Sequence, residues 1–306
     1  MSKQLIEKIT ELKKRHNAVI LAHNYEEGDV QDIADFAGDS LELSIKAAEA
    51  EAEVIVFCGV HFMAETAAVL NPDKTILLPA KRAGCAMADM ATAAELQKLK
   101  QAHPEAKVIC YVNSSAEVKA ESDCCCTSAN AVAIVKAYAD AKEIIFLPDK
   151  NLGQHAAQLA GRDLILWDGY CPVHDYISTA DIDSARQQHP NAVVMVHPEC
   201  TEIVRAAADR ILSTGQMARF AQSSSAREFI VGTEIGILHR LNKENPGKTF
   251  HAARENAICP DMKQISLETI LWSLEEMKYE VSLPPEIVNR ARNAIENMIH
   301  PERIAL

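Results

Sequence analysis

Apolar, β-branched runs recur along the chain, and between them apolar positions return at helical spacing. The runs at 18–23 (AVILAH), 54–58 (VIVFC), 75–78 (TILL), 107–112 (KVICYV), 143–147 (EIIFL) and 163–167 (DLILW) predict strands. So do those at 192–197 (AVVMVH), 210–213 (RILS), 229–233 (FIVGT) and 249–252 (TFHA). Near-continuous apolar runs of this length mark strands covered on both faces. The segments 40–52, 61–70, 128–140, 153–160, 200–208 and 215–224 read as helices between them. Strands alternating with helices predict an α/β fold with parallel sheets and right-handed crossovers. The opening MSKQLIEKITELKKRH reads as a charged amphipathic helix, not a signal peptide.

The pattern repeats. Three segments open alike: VILAHNYEEGDV from Val19, VICYVNSSAEVK from Val108 and VVMVHPECTEIV from Val193. Each is followed by small hydroxyl residues before a helix, in Gly38-Asp39-Ser40, Cys126-Thr127-Ser128 and Ser213-Thr214-Gly215. The offsets from the opening valines to Ser40, Ser128 and Thr214 are 21, 20 and 21. Each copy ends at a cysteine in a loop: RAGC (Cys85), DGYC (Cys171) and NAIC (Cys259), spaced by 86 and 88 residues. Length alone suggests roughly two domains. Three landmarks in phase argue instead for three copies of one α/β unit. Three copies pack most simply about a pseudo-threefold axis, where equivalent residues meet.

Composition narrows the class. Of 306 residues, 48% are hydrophobic but only 5% aromatic, so the core must be aliphatic and rich in Ala. A net charge of −12 argues against a nucleic-acid surface, which needs clustered Lys and Arg. No apolar run approaches the ~20 residues of a membrane span. These features suggest a cytoplasmic chain with no nucleic-acid or membrane partner. In a reducing compartment its nine cysteines are better read as buried, catalytic or metal-bound than as disulfides.

The repeat brings three kinds of group to the carboxyl ends of the strands, where ligands sit in open parallel sheets. A lone cysteine is ordinary packing. Cys85, Cys171 and Cys259, in phase and each beside a turn residue, suit a four-iron cluster whose fourth iron lacks a protein thiolate. Zinc closed by a histidine is the other option. Ser40, Ser128 and Thr214 read as N-caps whose hydroxyls and backbone N–H groups favour anions. The first-strand ends supply His23, Asn24 and Tyr25, then Tyr111, Val112 and Asn113, then His197, Pro198 and Glu199. These offer acid–base groups over a wide pKa range.

Other candidates are weaker. His16, His103, His189 and His300 stand in polar stretches and read as solvated. Nothing distinguishes His61, His155, His174, His239 and His251. Cys58, Cys110 and Cys200 read as structural. The conspicuous run DCCCTSAN, with Cys124, Cys125 and Cys126, lines up with the helix starts of the other copies. Adjacent residues of an extended segment point to opposite faces, so three in a row do not easily share one cluster. They read as packing residues, with Ser128 as the working residue.

These residues together resemble the quinolinate synthase A family of bacterial and archaeal NAD biosynthesis. The carriers are LAHNYE with GDS, the RAGC loop, CYVNSSAEVKAESDCCCTSAN, FLPDKNLG, WDGYCPVH, VHPEC, STGQM and FIVGTEIGILHRL, spread over essentially the whole chain. The resemblance implies three homologous αβα three-layer domains about a pseudo-threefold axis: 1–104, 105–189 and 190–268, with helices in 269–306 packing back on the first. It implies one [4Fe-4S] cluster held by Cys85, Cys171 and Cys259, with one open iron as Lewis acid. It implies condensation of iminoaspartate with dihydroxyacetone phosphate to quinolinate, phosphate and two waters. It also implies functional coupling to an L-aspartate oxidase or aspartate dehydrogenase. His23, Ser40, Tyr111, Asn113, Ser128, His197, Glu199 and Thr214 would contact substrate, and Ser40, Ser128, Ser213 and Thr214, with their backbone N–H groups, would hold carboxylates or phosphate. Glu199, Tyr25 and His23 would move protons. Certain members carry a CxxCxxC run near the third ligand; here Asn256-Ala257-Ile258-Cys259 has only the ligand, so no disulfide switch is expected there.

Three rivals stay open on residues alone: another [4Fe-4S] hydro-lyase acting on a small hydroxy acid, a non-enzymatic cluster carrier, and a zinc enzyme.

Overall fold

A computed structural model describes residues 2–305. It holds three four-stranded parallel sheets. The first contains β1 (Ala18–His23), β2 (Phe36–Gly38), β3 (Val54–Cys58) and β4 (Thr75–Leu77). The second contains β5 (Ala106–Tyr111), β6 (Cys124–Cys126), β7 (Glu143–Leu147) and β8 (Ile165–Leu166). The third contains β9 (Val193–Val196), β10 (Arg210–Ile211), β11 (Glu228–Gly232) and β12 (Thr249–Ala252). In each sheet the order is second, first, third, fourth strand. The shared order supports the reading of an α/β chain built from three like units.

One contact recurs in all three. An aspartate just before the second strand accepts from a backbone N–H of the first: Asp35 from Ile20, Asp123 from Val108 and Asp209 from Val194, each at 2.8 Å. This bond fixes Ile20, Val108 and Val194 as equivalent. On that register Ser40, Ser128 and Thr214 all fall 20 residues later. The slip of one residue between the opening valines disappears.

Two strands lie outside the predicted set, β2 and β6. Both are three-residue edge strands. Too short for a period-2 signal, they form because β1 and β5 offer them a ladder. β6 is the triple cysteine, paired as Ile109 with Cys124, Cys110 with Cys125 and Tyr111 with Cys126. Its three side chains are fully buried. The helix Pro285–Ile299 covers this edge and also touches the helices Ala116–Ala120 and His61–Leu70. The helix Leu267–Glu276 instead lies along Ser2–Arg15.

The core is aliphatic, as the composition requires. Ile20, Ile55, Val56, Val108, Ile109, Ile144 and Ile145 are fully buried at the middle of their sheets. Each such side chain contributes about 1.5–3 kcal/mol. A smaller cluster packs the helix Thr179–Gln188 against the third sheet through Ile182, Val194, Val196 and Ile230. No helix among the described residues is long and apolar enough to cross a membrane.

Candidate active site

The three sheets aim their strand ends at one cavity. The equivalent residues His23, Tyr111 and His197 line it, as do Tyr25, Asn113 and Glu199 two positions later. Ser40, Ser128 and Thr214 line it from the second-strand side. Cys85, Cys171 and Cys259 line it from the loops that end each copy. Thus four sets of three, each matched by the repeat, share one space. Ser213 does not line it.

The helix starts differ from the expected capping. Asp39 and Ser213 are the N-caps, each in a capping box, with Glu42 and Gln216 respectively. Ser40 and Thr214 are the first helical residues, so their hydroxyls are released from capping. In the second repeat the helix starts later, at Ala131, and Ser128 sits in the preceding turn. Asp39 changes the anion argument. Its carboxylate accepts from the Glu42 N–H at 2.9 Å and from the Ser213 hydroxyl at 3.4 Å. An acidic side chain of the chain itself, whose pKa burial and the nearby Glu42 raise, therefore occupies the junction between two of the helix starts. Gly215 permits this approach: a Cβ there would lie 2.5 Å from Asp39 Oδ2.

The two strand-end histidines are set alike. The Tyr25 N–H donates to His23 Nδ1 at 3.2 Å, and the Glu199 N–H donates to His197 Nδ1 at 3.3 Å. With Nδ1 accepting, a neutral ring carries its proton on Nε2. Burial lowers both pKa values to about 3 despite the nearby Glu199 carboxylate, so both rings are neutral near pH 7. His197 Nε2 lies 3.1 Å from Ser128 Oγ, which ties the third repeat to the second.

Glu199 is the focus of charge. Burial alone would raise its pKa, but His174 and His197 beside it, with hydrogen bonds from His174 and Tyr111, hold it well below the usual range. His174 Nδ1 lies 2.8 Å from Glu199 Oε2, and the Tyr111 hydroxyl donates to Oε1. Burial, reinforced by the Glu199 charge, raises the Tyr25 and Tyr111 phenols well above their usual values, so both remain protonated. The Tyr25 hydroxyl meets Thr233 Oγ1 at 2.6 Å. Asn113 Oδ1 is buried without a partner and is free to accept from a ligand.

Among nine cysteines only Cys85, Cys171 and Cys259 are partly accessible; the other six are buried. Burial pushes the Cys85 thiol up to about 12, Cys259 to about 11 and Cys171 well above its usual value. The Cys259 thiol lies close enough to raise that of Cys85, and the Cys85 thiol close enough to raise that of Cys171. Such a set is protonated alone and becomes a thiolate set only beside strong positive charge, as a metal centre supplies. The donor chemistry fits a cluster with one cysteine from each repeat.

Comparisons over the full length of the chain show its family. The sequence profile described as Quinolinate synthetase A protein matches residues 7–300. The chain belongs to that family. It is 53% identical over 300 residues to a quinolinate synthase of Dehalococcoides mccartyi strain CBDB1, covering 98% of this chain and 99% of the relative. It is 51% identical over 300 residues to one of Thermodesulfovibrio yellowstonii, with 98% and 99% covered. It is 50% identical over 295 residues to quinolinate synthase 1 of Methanosarcina acetivorans, with 96% and 97% covered. A member of the quinolinate synthetase A family is an enzyme of NAD biosynthesis.

Several residues of this family member's site had no sequence signal of their own. His174, three residues after Cys171, has Nδ1 3.2 Å from Cys171 Sγ and Nε2 2.7 Å from Thr233 Oγ1. Two buried carboxylates stand two residues beyond the third strands. Asp149 accepts from the Cys171 N–H and Glu234 from the Cys259 N–H, both at 3.2 Å. The first repeat has Val60 at that position. Lys263 pairs with Glu234 at 3.1 Å and also donates to the Tyr25 carbonyl. The signal was positional, because it emerges only once the repeats are aligned on the strand ends.

Proposed function

We propose that the chain condenses iminoaspartate with dihydroxyacetone phosphate to give quinolinate, phosphate and two waters, with a [4Fe-4S] cluster held by Cys85, Cys171 and Cys259. The observation that carries this reading is the convergence of one accessible thiol from each repeat on the cavity lined by His23, Tyr111 and His197. A bound cluster of this kind would supply an open iron as a Lewis acid.

The chain's own residues account for the rest. The substrates are anions, so neutral donors that add no competing charge are suited to orient them. His23 and His197 present Nε2–H groups for carboxylates, and Ser40, Ser128 and Thr214 present hydroxyls for carboxylate or phosphate. Ser213 acts from behind, by holding the helix that carries Thr214. Asn113 Oδ1 accepts an imine or hydroxyl hydrogen. Loss of phosphate and water, keto–aldo isomerisation and ring closure each move protons. Glu199, ionised at neutral pH, takes a proton, and Tyr111 and His174 stabilise its charge. Tyr25 keeps its proton and donates, with His23 beside it. We place this enzyme in the cytoplasm, coupled in function to an L-aspartate oxidase or aspartate dehydrogenase that makes the iminoaspartate.

One observation favours a second reading. Ligand atoms of Cys171, His174 and Glu199 lie within 4.8 Å of one another, a set that could hold a single zinc. Anaerobic purification of wild type and Cys171→Ser, with iron, zinc and quinolinate formation measured together, separates the two. Iron-loaded, active wild type and an iron-poor, inactive variant are expected. A variant with wild-type iron content would remove Cys171 from the ligand set. Zinc in place of iron in active wild type would favour the second reading.

A further inference from the structure

Away from the cavity, the third repeat gathers three ligand-type side chains that the proposed reaction does not use. Glu228 opens β11 and His251 lies in β12. The parallel register sets Ile230 opposite His251. Side chains alternate along a strand, so Glu228, two residues before Ile230, shares that face. This is the face covered by the helix Thr179–Gln188, because Ile182 and Ile230 share one apolar cluster. His189 is the C-cap of that helix and so reaches the same spot. His189 Nδ1 lies 2.9 Å and His251 Nε2 3.0 Å from a single oxygen, Glu228 Oε1. The two rings stack with centroids 3.4 Å apart and planes at 14°.

The other repeats serve as internal comparisons. By strand register, Val54 and Glu143 are the counterparts of Glu228, and Leu77 and Ile165 those of His251. The first repeat is apolar at both positions. The second has a pair only, His103 Nδ1 at 3.3 Å from Glu143 Oε2. The third alone replaces an apolar fourth-strand residue with histidine and thereby completes a three-donor set.

The donor set and its spacing suit an ion. Two imidazoles and one carboxylate, with a fourth position left to water, form an established zinc ligand set. Tetrahedral bonds of about 2.0–2.1 Å put ligand atoms about 3.3–3.4 Å apart. The three ligand atoms lie within 4.8 Å of one another; the contacts of 2.9 and 3.0 Å need open by a few tenths of an ångström, and the stacked rings must turn to bring both nitrogens onto one ion. Side-chain exposures of 26% for His189, 35% for Glu228 and 24% for His251 leave a path for the ion and its water. Calcium and magnesium prefer oxygen donors, so two imidazoles select against them.

We propose that His189, Glu228 and His251 form a divalent transition-metal site of zinc type in the third repeat, separate from the cysteine-lined cavity. The ion would clip the end of the helix Thr179–Gln188 to β11 and β12. The test equilibrates iron-loaded enzyme with zinc chloride under anaerobic conditions, removes free zinc, and measures zinc and iron per chain. One retained zinc with unchanged iron is expected. The zinc-edge absorption fine structure should show nitrogen and oxygen neighbours at about 2.0–2.1 Å and no sulfur near about 2.3 Å. His251→Leu, which adopts the residue type of the first repeat, should lower zinc retention at least tenfold and leave quinolinate formation unchanged. His103→Ala should retain zinc like wild type. Absence of retained zinc, sulfur-coordinated zinc, or equal retention in His251→Leu overturns the proposal. The wild-type spectrum alone decides if that variant misfolds.

Discussion

The Tyr111 hydroxyl donates to the Glu199 carboxylate, joining the strand end of the second repeat to that of the third. Both residues are buried. The bond is one of the contacts that keep a buried carboxylate ionised, so it controls when Glu199 can accept a proton. Tyr111→Phe removes it and raises the Glu199 pKa. Glu199→Gln should lower turnover by roughly 10²–10⁴-fold, the usual scale of one acid–base group, with iron content intact. Full turnover in Glu199→Gln with iron content intact would remove Glu199 from the proton-transfer role.

The buried histidines predict an acid-labile fold. Burial lowers the His23 and His197 pKa values to about 3 in the folded chain, against 6.5 for a free imidazole. Below pH 6.5 the unfolded chain binds protons that the folded chain refuses. The stability from these groups is thus full above pH 6.5 and is lost as pH falls towards 3. The slope is about 1.4 kcal/mol per pH unit for each histidine. Urea midpoints measured at pH 7, 6 and 5 should fall, and fall less steeply in His197→Gln. Parallel slopes in the two proteins would contradict the assignment.

Gly215 sets how closely the first and third repeats approach. A Cβ there meets Asp39 Oδ2 at 2.5 Å and Glu42 Oε1 at 3.0 Å, both parts of the opposing helix cap. Gly215→Ala should destabilise the fold by about 1–3 kcal/mol through overpacking. Thermal unfolding reads this directly. The KM for the phosphate substrate should rise as well, since Thr214 sits next to the displaced residue.

The cysteines divide into two groups with opposite expected behaviour. Cys85→Ala and Cys259→Ala should lose iron and activity together. Cys125→Ala should keep both, because Cys125 is sealed within the sheet ladder opposite Cys110. Iron per chain and quinolinate formation check this. Iron loss in Cys125→Ala with a folded chain would reopen the role of the triple cysteine.

The parts of the fold that do not appear in the pattern have separate causes. β2 and β6 are only three residues each, and their extended form comes from the neighbouring strand, not from β-branched side chains. In two repeats the N-cap is the residue before Ser40 and Thr214, because Asp39 and Ser40, or Ser213 and Thr214, are all capping types. Only the capping-box bonds to Glu42 and Gln216 separate them. Asp149, Glu234 and His174 escaped for another reason. Each is ordinary in its local sequence, and acquires meaning from the thiol loop that reaches it across the repeat.

The sequence by itself determined the alternation of strand and helix, the three-fold repeat, and the phased residues that face the centre. These follow from periodicity and spacing, which are properties of the chain. Tertiary structure alone decided the charge states: two neutral histidines, one ionised Glu199, protonated tyrosines, and an Asp39 lodged between two helix starts. Burial and neighbours set those states, and both exist only after the three sheets have closed on one cavity.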